Sequence, residues 1–498
     1  MQRSQPVRLS CLWICAAALV LLFGGLPDSL ADYKRDIGFT TLETELGAAT
    51  PDGHRLSLVT QTEAATTAYR DSDEKTGRIK VWMPDPRRPE FSGKKILNRS
   101  GSLPYYSGHA TGVGRLFYGK SSSIAPGINT VECFRADHWL GPGYLESSAA
   151  TTPRSSSSRI ANHSWVASTN GNNPSVLRRI DWVVATDETI QVVGPCRPGN
   201  PLLGSAFNTI AVGKADGENG KGTAAVDALY SAGRSCPQLV APLKTASSAA
   251  PVVASAAALL VEAGHADPGL STDPVLRRTA NRIGDTIYNA ERSEVVKAAL
   301  MAGADRVTRN TVVLGGNPID IKDYRKDSAQ RSPNGLDRRY GAGQVNIGNS
   351  YHIIAGGEQN SLEDMPESDG IIGRSGFDYD PAFGGENGSN TIATYYFTLD
   401  QDSTQLRAAL VWNIDIDAGA GPNFAGSATL YDLDLFLYDV TGTDEPRQVA
   451  ASTAPADNTE NLWVGLGKNR RYMIQVKPGS RQSAFKWDYA LAWHLTRQ

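Results

Sequence analysis

Cysteine, histidine and net charge are all scarce in this chain. Five cysteines and seven histidines occur in 498 residues. The cysteines do not fall at metal-ligand spacings, which sets a zinc centre aside. Lysine and arginine number 49 against 52 aspartates and glutamates, a balance that argues against nucleic acid as a partner. No internal repeat is present. Beyond residue 31 no segment reads as a membrane span, so no membrane association is expected once the N-terminal segment is removed.

What is present begins with that N-terminal segment. Arg3 and Arg8 precede an apolar run from Leu9 to Gly25, and Ser29-Leu30-Ala31 offers a small-x-small cleavage site. Residues 1–31 therefore read as a secretory signal, and the mature chain is expected to be secreted, periplasmic or at the cell surface. Its removal leaves Cys133, Cys196 and Cys236, enough for one disulfide and one leftover thiol, with the pairing open. A chain of this length exceeds what one core supports, so two globular units are expected.

Residues 32–53 form a short lead-in. From 54 to 355, β-branched runs such as Leu56–Gln61, Arg159–Val166, Thr189–Val193 and Thr209–Gly213 alternate with helical stretches at Ala110–Phe117, Leu177–Val184 and Glu294–Ala302. Such alternation predicts an α/β unit, a mostly parallel sheet with helices on both faces. Residues 356–390 are rich in Gly, Asp, Ser and Pro and read as a linker. After residue 391 the chain reads as all-β, with six strand-like runs that predict a small jelly-roll-like sandwich.

Two stretches carry chemistry. In Lys244-Thr245-Ala246-Ser247-Ser248-Ala249-Ala250-Pro251, a hydroxyl-bearing turn leads into a helix that has no charge until Glu262. Pro251 marks the expected first turn, where proline is tolerated. A helix this apolar belongs inside a domain, and its N-terminus presents a serine to unpaired N–H groups. Ser107-Gly108-His109-Ala110-Thr111-Gly112-Val113-Gly114 places a histidine among small residues at another helix start. A base beside a serine is what that poor nucleophile needs near neutral pH.

His109-Ala110-Thr111-Gly112-Val113-Gly114 resembles the histidine motif of subtilisin-like serine peptidases, with Ala110 in place of a glycine. Thr245-Ala246-Ser247-Ser248-Ala249-Ala250-Pro251 resembles their serine motif, with Thr245 and Ala246 departing from its Gly-Thr. Weaker matches follow in the family's order, among them Ile124-Ala125-Pro126-Gly127, Ile160-Ala161-Asn162-His163-Ser164 and Phe207–Gly213. The resemblance covers residues 54–354 and implies an exported endopeptidase acting on protein or peptide substrates through an acyl-enzyme, with no required cofactor. It implies Ser247 as nucleophile, Ser248 being the competing hydroxyl, and His109 as general base and then general acid.

The implied third member departs from the family's Asp-Ser/Thr-Gly turn. Glu63, just after the strand-like run Leu56–Gln61, and Asp85, after Val81-Trp82-Met83, are the two candidates, Glu63 being preferred. The oxyanion donor implied is Asn200, which lies later than the family's asparagine. Asn162, His163 and Ser164 are implied to bind substrate as a strand. No Gly-x-Ser-x-Gly surrounds Ser247, which disfavours an esterase of another fold. In the C-terminal unit, which resembles the β-sandwich appended to some bacterial subtilases, Asp432 and Asp434 share one strand face, and with Asp415 and Asp417 could take Ca²⁺. The alternative is a catalytically weak or inactive relative that binds extended peptides or cell-surface material.

Overall fold

The computed structural model describes residues 33–46, 55–60, 72–73, 78–101, 103–165, 173–194, 202–219, 222–308, 319–320, 329–400, 404–442 and 445–497. The expected signal segment, Glu63, Cys196 and Asn200 lie outside them. Seven parallel strands form the main sheet among these residues: β1 (Arg55–Thr60), β2 (Lys95–Asn98), β3 (Thr130–Arg135), β4 (Ser158–His163), β5 (Ile190–Val193), β6 (Ile210–Lys214) and β7 (Leu239–Ala241), in the order β7-β6-β5-β4-β1-β3-β2. The order reverses direction at β1, which pairs with β3 on one side and β4 on the other. In sheets of this kind ligands bind beyond the carboxyl ends of the strands near such a switch point.

Helices α1 (Phe39–Glu45), α2 (Gly108–Tyr118), α3 (Asn173–Asp187), α4 (Ala246–Ala266), α5 (Ser293–Gly303) and α6 (Ile347–Ala355) accompany the sheet. α4 lies across β4, β5, β6 and β7 and packs on α2. By length and composition it would pass for a membrane span, contrary to the expectation that no later segment does. Its residues from Ala249 to Val261 are buried among sheet and helices, so its apolarity serves the core. The expectation that α4 starts near Pro251 is corrected as well. The helix starts at Ala246, because the Thr245 side chain accepts from the Ser248 N–H and caps the turn there.

The C-terminal unit is a sandwich of two antiparallel four-stranded sheets. One has the order β8 (Ser375–Phe383), β15 (Trp487–Arg497), β10 (Thr404–Val411), β13 (Thr459–Leu466). The other has β9 (Ala393–Leu399), β14 (Arg470–Pro478), β11 (Leu433–Asp439), β12 (Arg447–Ser452). β8 falls inside the stretch read as linker, and that expectation is corrected. Phe377 and Tyr379 pack towards the α/β core, while Asp378 and Asp380 are also buried, with Tyr395 donating to Asp378 at 2.7 Å. A strand buried on both faces whose second face is acidic has the composition of a loop.

The outer face of the first sheet rests on α5 and α6. Phe377, Tyr379, Ala409, Val411, Ala490 and Ala492 share one core with α4 and α5. Every residue of α5 is buried. Of the two described cysteines, Cys133 is a free buried thiol and Cys236 is disulfide-bonded to a partner outside the described residues.

Candidate functional site

The chain leaves β2 at its carboxyl end and re-enters the sheet at the amino end of β3, so α2, which lies between them, runs back antiparallel to the strands. α4 does the same. Its first turn abuts the ends of β4 and β5: a methyl group built on Gly194 would stand 3.0 Å from the Ala246 carbonyl oxygen and 3.2 Å from that of His163. Glycine at 194 is what lets β5 end this close to the helix. At its other end α4 passes Glu291, the partner of Arg159 near the start of β4. Both helices therefore begin at the carboxyl end of the sheet.

Their relative height is fixed by Ser255. Its Oγ stands 3.0 Å from the Leu116 carbonyl oxygen and 2.8 Å from that of Phe117, where α2 ends. Ser255 lies two turns past Ser247, and Leu116 and Phe117 lie two turns past His109, about 12 Å along either helix. The two helices run the same way, so the turns that bear His109 and Ser247 lie at the same end of the helix pair, each about 12 Å from the Ser255 contact. Each terminus carries a partial positive charge from its free N–H groups.

The local chemistry separates the two serines. Ser248 is drawn into the cap, its Oγ 3.0 Å from the Thr245 hydroxyl. Ser247 is half-buried, and its Oγ makes no hydrogen bond with any described residue. Solvent reaches His109, yet surrounding protein is dense enough that burial lowers its pKa below the ordinary histidine value. The shift favours the neutral imidazole, the state a general base requires. Ser107 caps α2 by accepting from the Ala110 N–H at 2.9 Å, which orients the turn that carries His109.

Asp85 approaches α2 through its backbone, whose N–H donates to Thr111 Oγ1 at 3.0 Å. Its carboxylate turns elsewhere: Arg87 Nε donates to Oδ1 at 2.8 Å and Arg88 stands 3.6 Å from Oδ2. The hydrogen bond from Arg87 leads the influences that hold this carboxyl below the usual range. No carboxylate hydrogen-bonds to His109 among the described residues.

Asn162 and His163 lie within β4 and are in register with β1 on one side and β5 on the other. An interior strand has no edge to offer a substrate, so of the three residues expected to bind a peptide only Ser164 extends past the ladder. His163 is fully buried between Trp139 and Trp165. Its Nδ1 accepts from Trp165 Nε1 at 3.2 Å and its Nε2 faces Gln191 Oε1 at 2.7 Å, which fixes the Nε2–H tautomer. Burial lowers its pKa to about 4.

That histidine yields a prediction. With the unfolded value near 6.5, the folded protein binds fewer protons than the unfolded chain between about pH 6.5 and 4. The contribution of His163 to stability is present above that window and is lost as pH falls through it. NMR of the labelled imidazole should show a neutral ring down to about pH 4; titration near 6.5 in the folded protein would refute this.

For Ca²⁺, no group of three or more His, Cys, Asp or Glu side chains is arranged to hold a metal among the described residues. Asp434 alternates on β11 with the buried Leu433, Leu435 and Leu437, and burial raises its pKa to about 6. Asp432 precedes the strand.

No protein-family model matches the chain, and no curated protein matches it. Solved structures do. The structure is distantly similar to subtilisin-like proteases. A protease from Pseudoalteromonas arctica is 13% identical, with 66% of this chain and 97% of that one covered at a TM-score of 0.36. A cold adapted subtilisin-like serine proteinase is 14% identical, covering 42% of this chain and 75% of that one at 0.26. PliG of Aeromonas hydrophila, a periplasmic inhibitor of g-type lysozyme, is 10% identical over 25% of this chain and 94% of its own, at 0.18. At these scores the likeness carries no inference about catalysis. The architecture rests on strand order and register.

The Ser255 hydroxyl went unread in the sequence, and Asn162 and Ser164 were read for substrate binding rather than for their bonds towards the Ser247 turn. A lone serine inside an apolar helix was the available signal for the first. The second had its signal in Pro251, placed four residues after Ser247.

Proposed function

We propose that this protein is an exported serine endopeptidase, with Ser247 as nucleophile and His109 as the base that takes its proton and returns it to the leaving amine. Glu63 is proposed to orient the imidazole, and Asn200 to donate to the oxyanion. One observation carries the reading: two helices tied together by Ser255, one bearing His109 and the other Ser247 in its first turn, both begin at the carboxyl end of a parallel sheet. A serine hydroxyl bonded to no described residue, an imidazole whose pKa is lowered and two helix N-termini suit acyl transfer, in which negative charge develops on an oxygen. The engagement of the Asp85 carboxylate by Arg87 supports Glu63 over Asp85.

The exported, full-length protein should take up a fluorophosphonate, and failure to label anywhere from mildly acidic to alkaline pH would favour the inactive, peptide-binding alternative. Within an active protein, Glu63→Gln should lower turnover on the order of 10⁴-fold, as loss of the orienting carboxylate does in such triads. Asp85→Asn should cost less than about tenfold, in line with an exposed Arg pair. The reverse ranking would make Asp85 the acid.

A further inference from the structure

Pro251 lies inside α4, four residues past Ser247. In an α-helix the N–H of residue i+4 serves the carbonyl of residue i, and proline has no N–H to give. The Ser247 carbonyl therefore loses its helical donor. Ser164 Oγ, arriving from the end of β4, donates to that carbonyl at 2.9 Å. Asn162 Nδ2 in turn donates to Ser164 Oγ at 3.0 Å. A hydroxyl has a single proton, so accepting from Asn162 leaves that proton to Ser247. Both residues are buried, and Asn162 is gripped on either side by β1 and β5.

We infer that Ser164 is a positioning residue for Ser247, with Asn162 setting the direction of its hydroxyl. Together they replace with side chains the backbone bond that Pro251 removes, and tie the serine-bearing turn to an interior strand of the sheet. The catalytic side of this inference rests on Ser247 being the nucleophile; the hydrogen-bond relay does not. A carbonyl released from Ser164 lets the turn drift, and small displacements of a nucleophile slow the chemical step while leaving substrate affinity in place.

Pro251→Ala supplies the decisive comparison, because alanine restores an N–H that can serve the same carbonyl. Ser164→Ala, Pro251→Ala and the double variant are made in the full-length chain. Ser164→Ala should slow fluorophosphonate labelling about tenfold, with kcat reduced and KM held. In the Pro251→Ala background the same change should cost less than about twofold. Ser164→Thr, which keeps a hydroxyl, should retain labelling. The melting temperature gives a second cycle that needs no activity: a loss of about 2 °C on Ser164→Ala with Pro251 present, and little once Pro251→Ala has been made. Equal losses in both backgrounds, or none in either, overturn the inference. If the wild type takes no label, the peptidase reading has failed, and the thermal cycle alone decides the relay.

Discussion

Ser247→Ala is expected to abolish fluorophosphonate labelling and to lower peptide turnover by a factor on the order of 10⁶, the scale on which losing a triad nucleophile acts. Ser248→Ala should keep both within about tenfold. The contrast follows from one turn of helix. The Ser248 hydroxyl sits against Thr245, and its N–H is the donor that Thr245 accepts. The Ser247 hydroxyl is spent on nothing described, and its backbone is tied down from outside the helix by Ser164. Removing the Ser248 hydroxyl should cost about 1 kcal/mol of stability or less, one hydrogen bond in a half-exposed position. Intact-mass measurement of the labelled variants reads both halves at once. Label retained by Ser247→Ala and lost by Ser248→Ala would exchange the two roles.

His109→Ala should lower turnover nearly as far, since serine without its base is almost unreactive at neutral pH. The pH profile of a variant without the proposed orienting carboxylate adds a sharper expectation. Burial disfavours the imidazolium of His109 and lowers its pKa, and the N-terminus of α2 acts in the same direction. The neutral base therefore persists to lower pH than for a free histidine. In Glu63→Gln, which removes the proposed carboxylate partner, the acid limb of kcat/KM, which reports the free enzyme, should reach half its maximum below about pH 6.5, the ordinary histidine value. A midpoint above that value would mean that a negative group pairs with the imidazolium strongly enough to overcome both effects.

The parts of this fold that were legible in the sequence are those whose residues satisfy a single demand. α2, α3 and α5 carry helical periodicity, and the sandwich strands β9, β10, β11, β13, β14 and β15 carry apolar runs between turns. β2, β3, β7 and β12 went unread as strands. Lys95-Ile96-Leu97-Asn98 is a sheet edge only four residues long, and Arg447–Ser452 is a largely solvated edge, so neither holds an apolar run. β8 failed for the opposite reason, since its buried aspartates mimic a linker.

At the candidate site, the helix starts bearing His109 and Ser247 were legible because small residues and hydroxyls mark such turns. The tie between the two helices was not, because it depends on Ser255 meeting carbonyls far away in the chain. For Asn162 and His163, a strand sequence says nothing about whether its edges are free. That is decided by neighbours, and β1 and β5 occupy both edges.

The burial of α5 on both sides has a consequence for how such a chain can be processed. Many multi-unit proteins can be trimmed at a joint and leave each piece folded. Here a cut between α6 and β8 would, on separation, strip Phe377, Tyr379, Ala409 and Val411 from the core they share with α5. The severed strands would leave a greasy helix facing water. Shedding the C-terminal sandwich would therefore uncover apolar surface of the α/β unit, so the two units are expected to stay together.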